Sequence, residues 1–147
     1  MSFPVILASN SPARLMLLKT QKINPIVIPS EINEKDIENS FKNAPISKIV
    51  LELSIAKAKN VLENNISMTE GILIAADSML EFENKPFGKP LTAENAIQRW
   101  QNMRGKNGVL HTGHTIIRLD NKQIISKVVS TKVFFADIEE DRKSTRL

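Results

Sequence analysis

"LASNSPARLMLL", residues 7–18, carries the end of an apolar run through a small polar turn into a proline-started, leucine-rich segment. Pro12 suits a first helical position, because its missing N–H is one of the groups that a helix start leaves unpaired. The stretch therefore predicts a strand over residues 3–8, a turn at Ser9-Asn10-Ser11 and a helix from Pro12 to about Lys22. A helix start also carries partial positive charge and can receive an anion. Ser9, Ser11 and Arg14 stand where that anion would lie. No Gly-x-Ser-x-Gly elbow surrounds the two serines, so they read as phosphate-facing hydroxyls or helix caps and not as nucleophiles.

The same strand-then-helix alternation continues outward. "INPIVIPS" (23–30) is a second strand, and its prolines, Pro25 and Pro29, favour a sheet edge. Residues 30–45 are polar, group Glu31, Glu34, Asp36 and Glu38, and lack strong periodicity, which predicts a loop or a loop with a short helix. From residue 46 to 62, Ile49, Val50, Leu53, Ala56, Val61 and Leu62 recur at helical intervals, with Lys48, Glu52, Lys59 and Asn60 on other faces. "GILIAADSML" (71–80) reads as a buried strand, and "EFENKPFGKP" (81–90) as a turn through Gly88. Thr92 caps a third helix to about Met103, which stops at Gly105. "GVLHTGHTIIRL" (108–119) and "IISKVVSTKVFFADI" (124–138) form a hairpin about Asp120-Asn121. The order β-α-β-α-β-α-β-β is that of an α/β fold, a mixed twisted sheet flanked by helices. There is no internal repeat, low-complexity tract or linker.

Composition narrows the chemistry. A chain of 147 residues suits one domain with a real core. It has no cysteine, and only His111 and His114 as imidazoles, which excludes a disulfide framework and argues against structural zinc. Three apart on a strand, the two histidines face opposite ways and read as structural residues. The start lacks a signal peptide's basic flank, and no apolar run reaches the ~20 residues of a membrane helix. The expectation is a cytoplasmic protein without a membrane partner. The net charge of +4, from 20 basic and 16 acidic residues, is spread along the chain, with one tryptophan, six phenylalanines and no tyrosine for stacking. A nucleic-acid partner is not expected.

Asp77 is the most informative residue, because an ionised carboxylate in an apolar strand needs a cation or a metal to satisfy it. The alternative is a carboxylate capping a turn at the strand's end. Lys89, between Gly88 and Pro90, is either positioned by its tight loop or part of a solvated turn. Lys57, flanked by Ala56 and Ala58, is either approachable by a ligand or on a solvated helix face. Together Ser9, Ser11, Arg14, Lys57 and Lys89 supply anion donors, and Glu34 and Asp77 supply hard oxygen ligands. That mixture suits phosphoryl chemistry with magnesium. The Gly-x4-Gly-Lys-Ser/Thr spacing is absent, so the chain is not a P-loop NTPase.

"LASNSPAR", "INE", "AKAK", "AADS", "FGKP" and "MRGKNGVLHTGH", in this order, resemble the Maf-like nucleoside triphosphate pyrophosphatases over about residues 7–137. "SPARL", "RW", "MRG" and "GVLHTGH" are most similar to the actinobacterial branch. The resemblance implies a Maf/ITPase-like fold that splits non-standard or pyrimidine nucleoside triphosphates into monophosphate and pyrophosphate with a divalent cation, Mg2+ or Mn2+. It also leaves room for a homodimer. By the same resemblance Asp77 is the proton acceptor for water, Ser9, Arg14, Lys57 and Lys89 surround the substrate phosphates, and Glu34 lies near the metal. From the residues themselves, as read above, Ser11 joins the substrate-binding set and Asp77 the metal ligands. Ala13 stands where the family often has arginine, and Ser78 where threonine is commoner. Both positions are implied to govern substrate choice.

Family members continue beyond the strand matching "STKVFF". The resemblance therefore implies that the C-terminal part of the fold is missing. Residues 1–140 would form an incomplete Maf-like domain and residues 141–147 a disordered or non-native tail. Apolar sheet surface would then be exposed, and the alternative function is a catalytically weak nucleotide-binding remnant.

Overall fold

In a computed structural model, residues 3–88 and 91–137 of the chain are described. They divide into two compact units, residues 3–78 with 112–129, and residues 79–88 with 91–111 and 130–137. Within the described residues six strands form one sheet, with the order β2-β1-β3-β5-β6 and β4 paired to β3. The expected tail, 141–147, lies outside the described residues.

The first unit opens as its sequence predicts. Strand β1 (Val5–Leu7) leads into helix α1 (Pro12–Thr20), whose N-cap is Ser11 and whose first residue is proline. Strand β2 (Ile26–Val27) pairs parallel to β1 and is exposed, as the flanking prolines require of an edge. The acidic segment contains the short helix α2 (Glu34–Ser40). Helix α3 (Ile46–Asn65) follows, and β3 (Ile72–Phe82) returns parallel to the other side of β1, with Leu7 opposite Ile74.

Because β2 and β3 flank β1, the chain turns one way after β1 and the other way after β2. Right-handed crossovers then place α1 and α3 on opposite faces of the sheet. Side-chain alternation along β3 agrees. Leu73 and Ala75 are fully buried in one cluster with Ala58 and Val61 of α3, together with Ile6, Ala8, Ile117 and Leu119. Asp77 continues that row toward α3, and Ala76 and Ser78 fall on the α1 face.

The buried side of α3 runs Ile46, Ile49, Val50, Leu53, Ser54, Lys57, Ala58 and Val61, an unbroken i, i+3/i+4 stripe. Lys57 and Ala58 take the places that the sequence reading gave to Ala56. Ser54 donates to the Leu51 carbonyl at 2.7 Å and lies 2.8 Å from Thr115, which lies 3.0 Å from Ser126, so this buried polar chain is paired along its length. Gly113 presses against α3: a Cβ there would collide with the Val50 carbonyl.

In the second unit, β3 continues to Phe82 and turns through Glu83 and Asn84, both at positive φ (52° and 60°), into β4 (Lys85–Phe87). The sequence reading took this stretch as a turn alone. Its short outer strand was hidden by Pro86, which β4 tolerates beside a single partner. Helix α4 (Ala93–Met103) starts at Thr92, whose hydroxyl accepts the Asn95 N–H at 3.1 Å. Phe82, Phe87, Trp100 and Phe135 meet edge to face, with centroids 6.0–6.4 Å apart.

Strands β5 (Asn107–Arg118) and β6 (Ile124–Phe134) are joined by residues 119–123, a connection too short for anything but an antiparallel hairpin. The Arg118 N–H closes it onto the Gln123 carbonyl at 3.0 Å. On β6, Ile125 and Phe134 are exposed.

Candidate active site

The carboxyl end of β1 is the point where the chain's crossovers diverge, and in open α/β sheets that crevice is where ligands bind. Side chains converge there from both faces of the sheet. On the α1 face, Ser9 is buried and its Oγ accepts from the Ser11 N–H at 3.1 Å and from Arg14 Nη1 at 3.2 Å. Ser11 Oγ accepts the Arg14 N–H at 3.4 Å, the N-cap bond. The Arg14 guanidinium also donates to the Ala76 carbonyl at 2.9 Å and to Ser78 Oγ at 3.1 Å. It therefore ties the start of α1 to the end segment of β3. Ser78 Oγ lies 2.9 Å from Thr112 Oγ1 on β5. Ala13, one residue before Arg14, is exposed.

On the α3 face the buried carboxylate has its cation. Lys57 Nζ donates to Asp77 Oδ1 at 2.6 Å and lies 3.0 Å from Glu34 Oε1. The Lys57 and Asp77 side chains are each 11% exposed, whereas that of Glu34 is half exposed. A solvated helix face for Lys57 and a turn-capping role for Asp77 are both excluded by this burial. Burial pushes the Asp77 carboxyl above the usual range, and the Lys57 hydrogen bond and charge offset only part of that rise.

The sequence reading missed Glu38, one helical turn after Glu34. Its carboxyl is also raised, first by burial and then by the charges of Glu34 and Asp77. The i, i+4 spacing was visible, but only a helix at α2 turns that spacing into one face. Thr112 was missed as well, since nothing local distinguishes it from Thr115, the other threonine of β5.

The trio of Asp77, Glu34 and Lys57 sums to −1 when both carboxylates are ionised (−1 −1 +1), which would repel a polyphosphate. Two hard carboxylates converging on one point are also the donors magnesium takes, with waters and substrate oxygens completing its shell. The donor set thus fits a divalent cation that arrives with a phosphate. Among the described residues no group of three or more His, Asp or Glu side chains is placed to hold a metal by itself.

Lys89 lies outside the described residues. His111 is a satisfied structural residue: Nδ1 lies 2.7 Å from Ser130 Oγ and Nε2 lies 2.7 Å from Glu81 Oε2. Among the described residues no helix is long and apolar enough to cross a membrane.

A family model described as "Maf-like protein" matches residues 4–145. The chain belongs to the Maf-like family. A relative from Gloeothece citriformis, named nucleoside triphosphate pyrophosphatase, is 42% identical over 142 residues, covering 95% of this chain and 68% of its own. One of the same name from Trichormus variabilis is 42% identical over 136 residues, covering 92% and 65%. A third, from Salinispora tropica, is 36% identical over 143 residues, covering 96% and 62%. The chain thus spans about two thirds of the length of these curated Maf-like relatives. The mixed six-stranded sheet with helices α1–α4 is consistent with that family.

Proposed function

We propose that this chain hydrolyses nucleoside triphosphates, non-standard or pyrimidine ones, to the monophosphate and pyrophosphate with a divalent cation. Residues 1–140 act as the pyrophosphatase domain in this reading. The observation that carries it is the Lys57 ammonium held between Asp77 and Glu34 at the carboxyl end of β1. Relatives named nucleoside triphosphate pyrophosphatase support the same activity.

Asp77 is the general base. Water attacks the α-phosphorus, the new O–P bond forms as the bond to the bridging oxygen breaks, and Asp77 takes the water's proton while pyrophosphate leaves. A carboxyl raised by burial is a stronger base than an ordinary aspartate. Lys57 neutralises developing charge on the phosphate oxygens and fixes the Asp77 rotamer. Arg14 and Ser9 shape the turn on which the phosphates rest, and Lys89 adds a further cation. The divalent cation, held by Glu34 and Asp77 with substrate oxygens, would neutralise the triphosphate and polarise the α-phosphoryl group.

Pyrophosphate release from a panel of triphosphates, with magnesium, with chelator and with Asp77→Asn, tests this reading. The expected result is magnesium-dependent release that Asp77→Asn abolishes. Binding without release would overturn it in favour of a nucleotide-binding remnant.

A further inference from the structure

The Ser78 and Thr112 hydroxyls, 2.9 Å apart, are not used by the phosphate chemistry, and they are open to solvent, Ser78 exposed and Thr112 half-buried. Each hydroxyl has one proton and two lone pairs. Ser78 Oγ accepts from Arg14 Nη2, and a guanidinium can only donate. Of the pair's two protons, one lies in the bond they share, so the other is left to face outward. It belongs to Thr112 when Ser78 donates, and to Ser78 when Thr112 donates. In the second state Thr112 keeps both lone pairs open. Rotating the two hydroxyls therefore moves the outward proton between Ser78 and Thr112, and turns Thr112 from donor to acceptor, without moving a heavy atom.

The heavy atoms themselves are held. Arg14 is anchored by Ser9 Oγ and the Ala76 carbonyl. On β5, Gly113, next to Thr112, packs against the Val50 carbonyl of α3 so closely that a Cβ would not fit between them. The pair is neutral and sits one residue along β3 from the charged centre at Asp77, on the opposite face of the strand. A neutral, two-way edge beside a phosphate centre suits the uncharged part of a nucleotide.

We propose that Thr112 is a specificity-determining residue, which with Ser78 forms an adaptable edge contacting the nucleobase and accepting a ring carbonyl or a ring amino group. The inference rests on the triphosphate reading above. Without Thr112, Ser78 still has its proton for a carbonyl but only one lone pair, crowded by the guanidinium, for an amino group. Loss of Thr112 therefore disfavours amino-bearing bases.

The test compares UTP with CTP, whose bases differ at C4, oxo against amino, and with it at N3, which carries a proton in uracil and a lone pair in cytosine. Steady-state kinetics and calorimetric binding would be measured with magnesium on the wild-type chain, Thr112→Val and Thr112→Ser. The expected result is a fall of roughly tenfold in the CTP/UTP ratio of kcat/KM for Thr112→Val, about one neutral hydrogen bond. The change should lie in KM with kcat unmoved, and Thr112→Ser should restore the ratio. An unchanged ratio, or equal losses for both nucleotides, would overturn the inference and leave the function standing. A chain that binds both nucleotides but hydrolyses neither would overturn the function, and the dissociation constants of the same variants would then decide the inference. Binding of neither nucleotide would overturn both.

Discussion

Lys57 Nζ and Asp77 Oδ1 lie 2.6 Å apart, an ion pair whose two side chains are each only 11% exposed and whose members are twenty residues apart in the chain. A buried pair of this kind is weak evidence for stability but strong evidence that each charge depends on the other. Removing one partner leaves the other desolvated and uncompensated.

Asp77→Asn should abolish turnover and leave triphosphate binding within about tenfold, because the amide keeps the shape and cannot accept a proton. Pyrophosphate release checks the first half and calorimetry the second. Retention of more than roughly a tenth of the wild-type rate would remove Asp77 from the role of base.

Lys57→Met should destabilise the fold by about 3–5 kcal/mol at neutral pH, since it strands the Asp77 carboxylate inside the sheet. Replacing both residues, Lys57→Met with Asp77→Leu, should recover most of that loss. Urea denaturation of the two variants measures the difference. A Lys57→Met chain as stable as the parent would mean that water reaches Asp77 freely.

Stability and activity should respond to pH in opposite directions at Asp77. Its folded-state carboxyl is raised by burial, so the folded chain holds that proton more tightly than the unfolded chain does. Between the ordinary value of 3.8 and the raised one, Asp77 therefore makes stability fall as pH rises. The rate instead rises with pH over the same window as the base ionises. Asp77→Asn should remove this residue's contribution to the stability slope, which denaturation at a series of pH values would detect.

Arg14→Ala should lower unfolding free energy even without ligand, by about 1.5–3 kcal/mol, the worth of a hydrogen bond to a charged group. The bonds to Ser9, Ala76 and Ser78 are its cause. If the apo melting temperature is unchanged and only the ligand-induced rise disappears, Arg14 acts through the ligand alone.

Gly113→Ala should destabilise by about 1–3 kcal/mol, the usual penalty of overpacking, because its Cβ meets the α3 backbone at Val50 and Leu51, which cannot rotate away. Gly88→Ala meets nothing within 4 Å and serves as the neutral control.

Much of this protein was determined by local sequence alone. Ser11 and Pro12 specify the start of α1, Thr92 that of α4, and the apolar run at 71–80 the central strand, because caps, φ restriction and side-chain period act within a few residues. The ordered motifs were enough to indicate the family. Other features depended on the tertiary structure. Whether Lys57 was solvated or buried rested on the rotation of α3 about its axis, which is set by packing against β1, β3 and β5 and shifts by one position with no change in the helical pattern. That Asp77 had a partner, that Glu38 joined Glu34 near it, and that Thr112 met Ser78 all required segments distant in the chain to be brought together by the sheet order β2-β1-β3-β5. Side-chain period says which residues share a face, but only strand order and helix packing decide what that face meets.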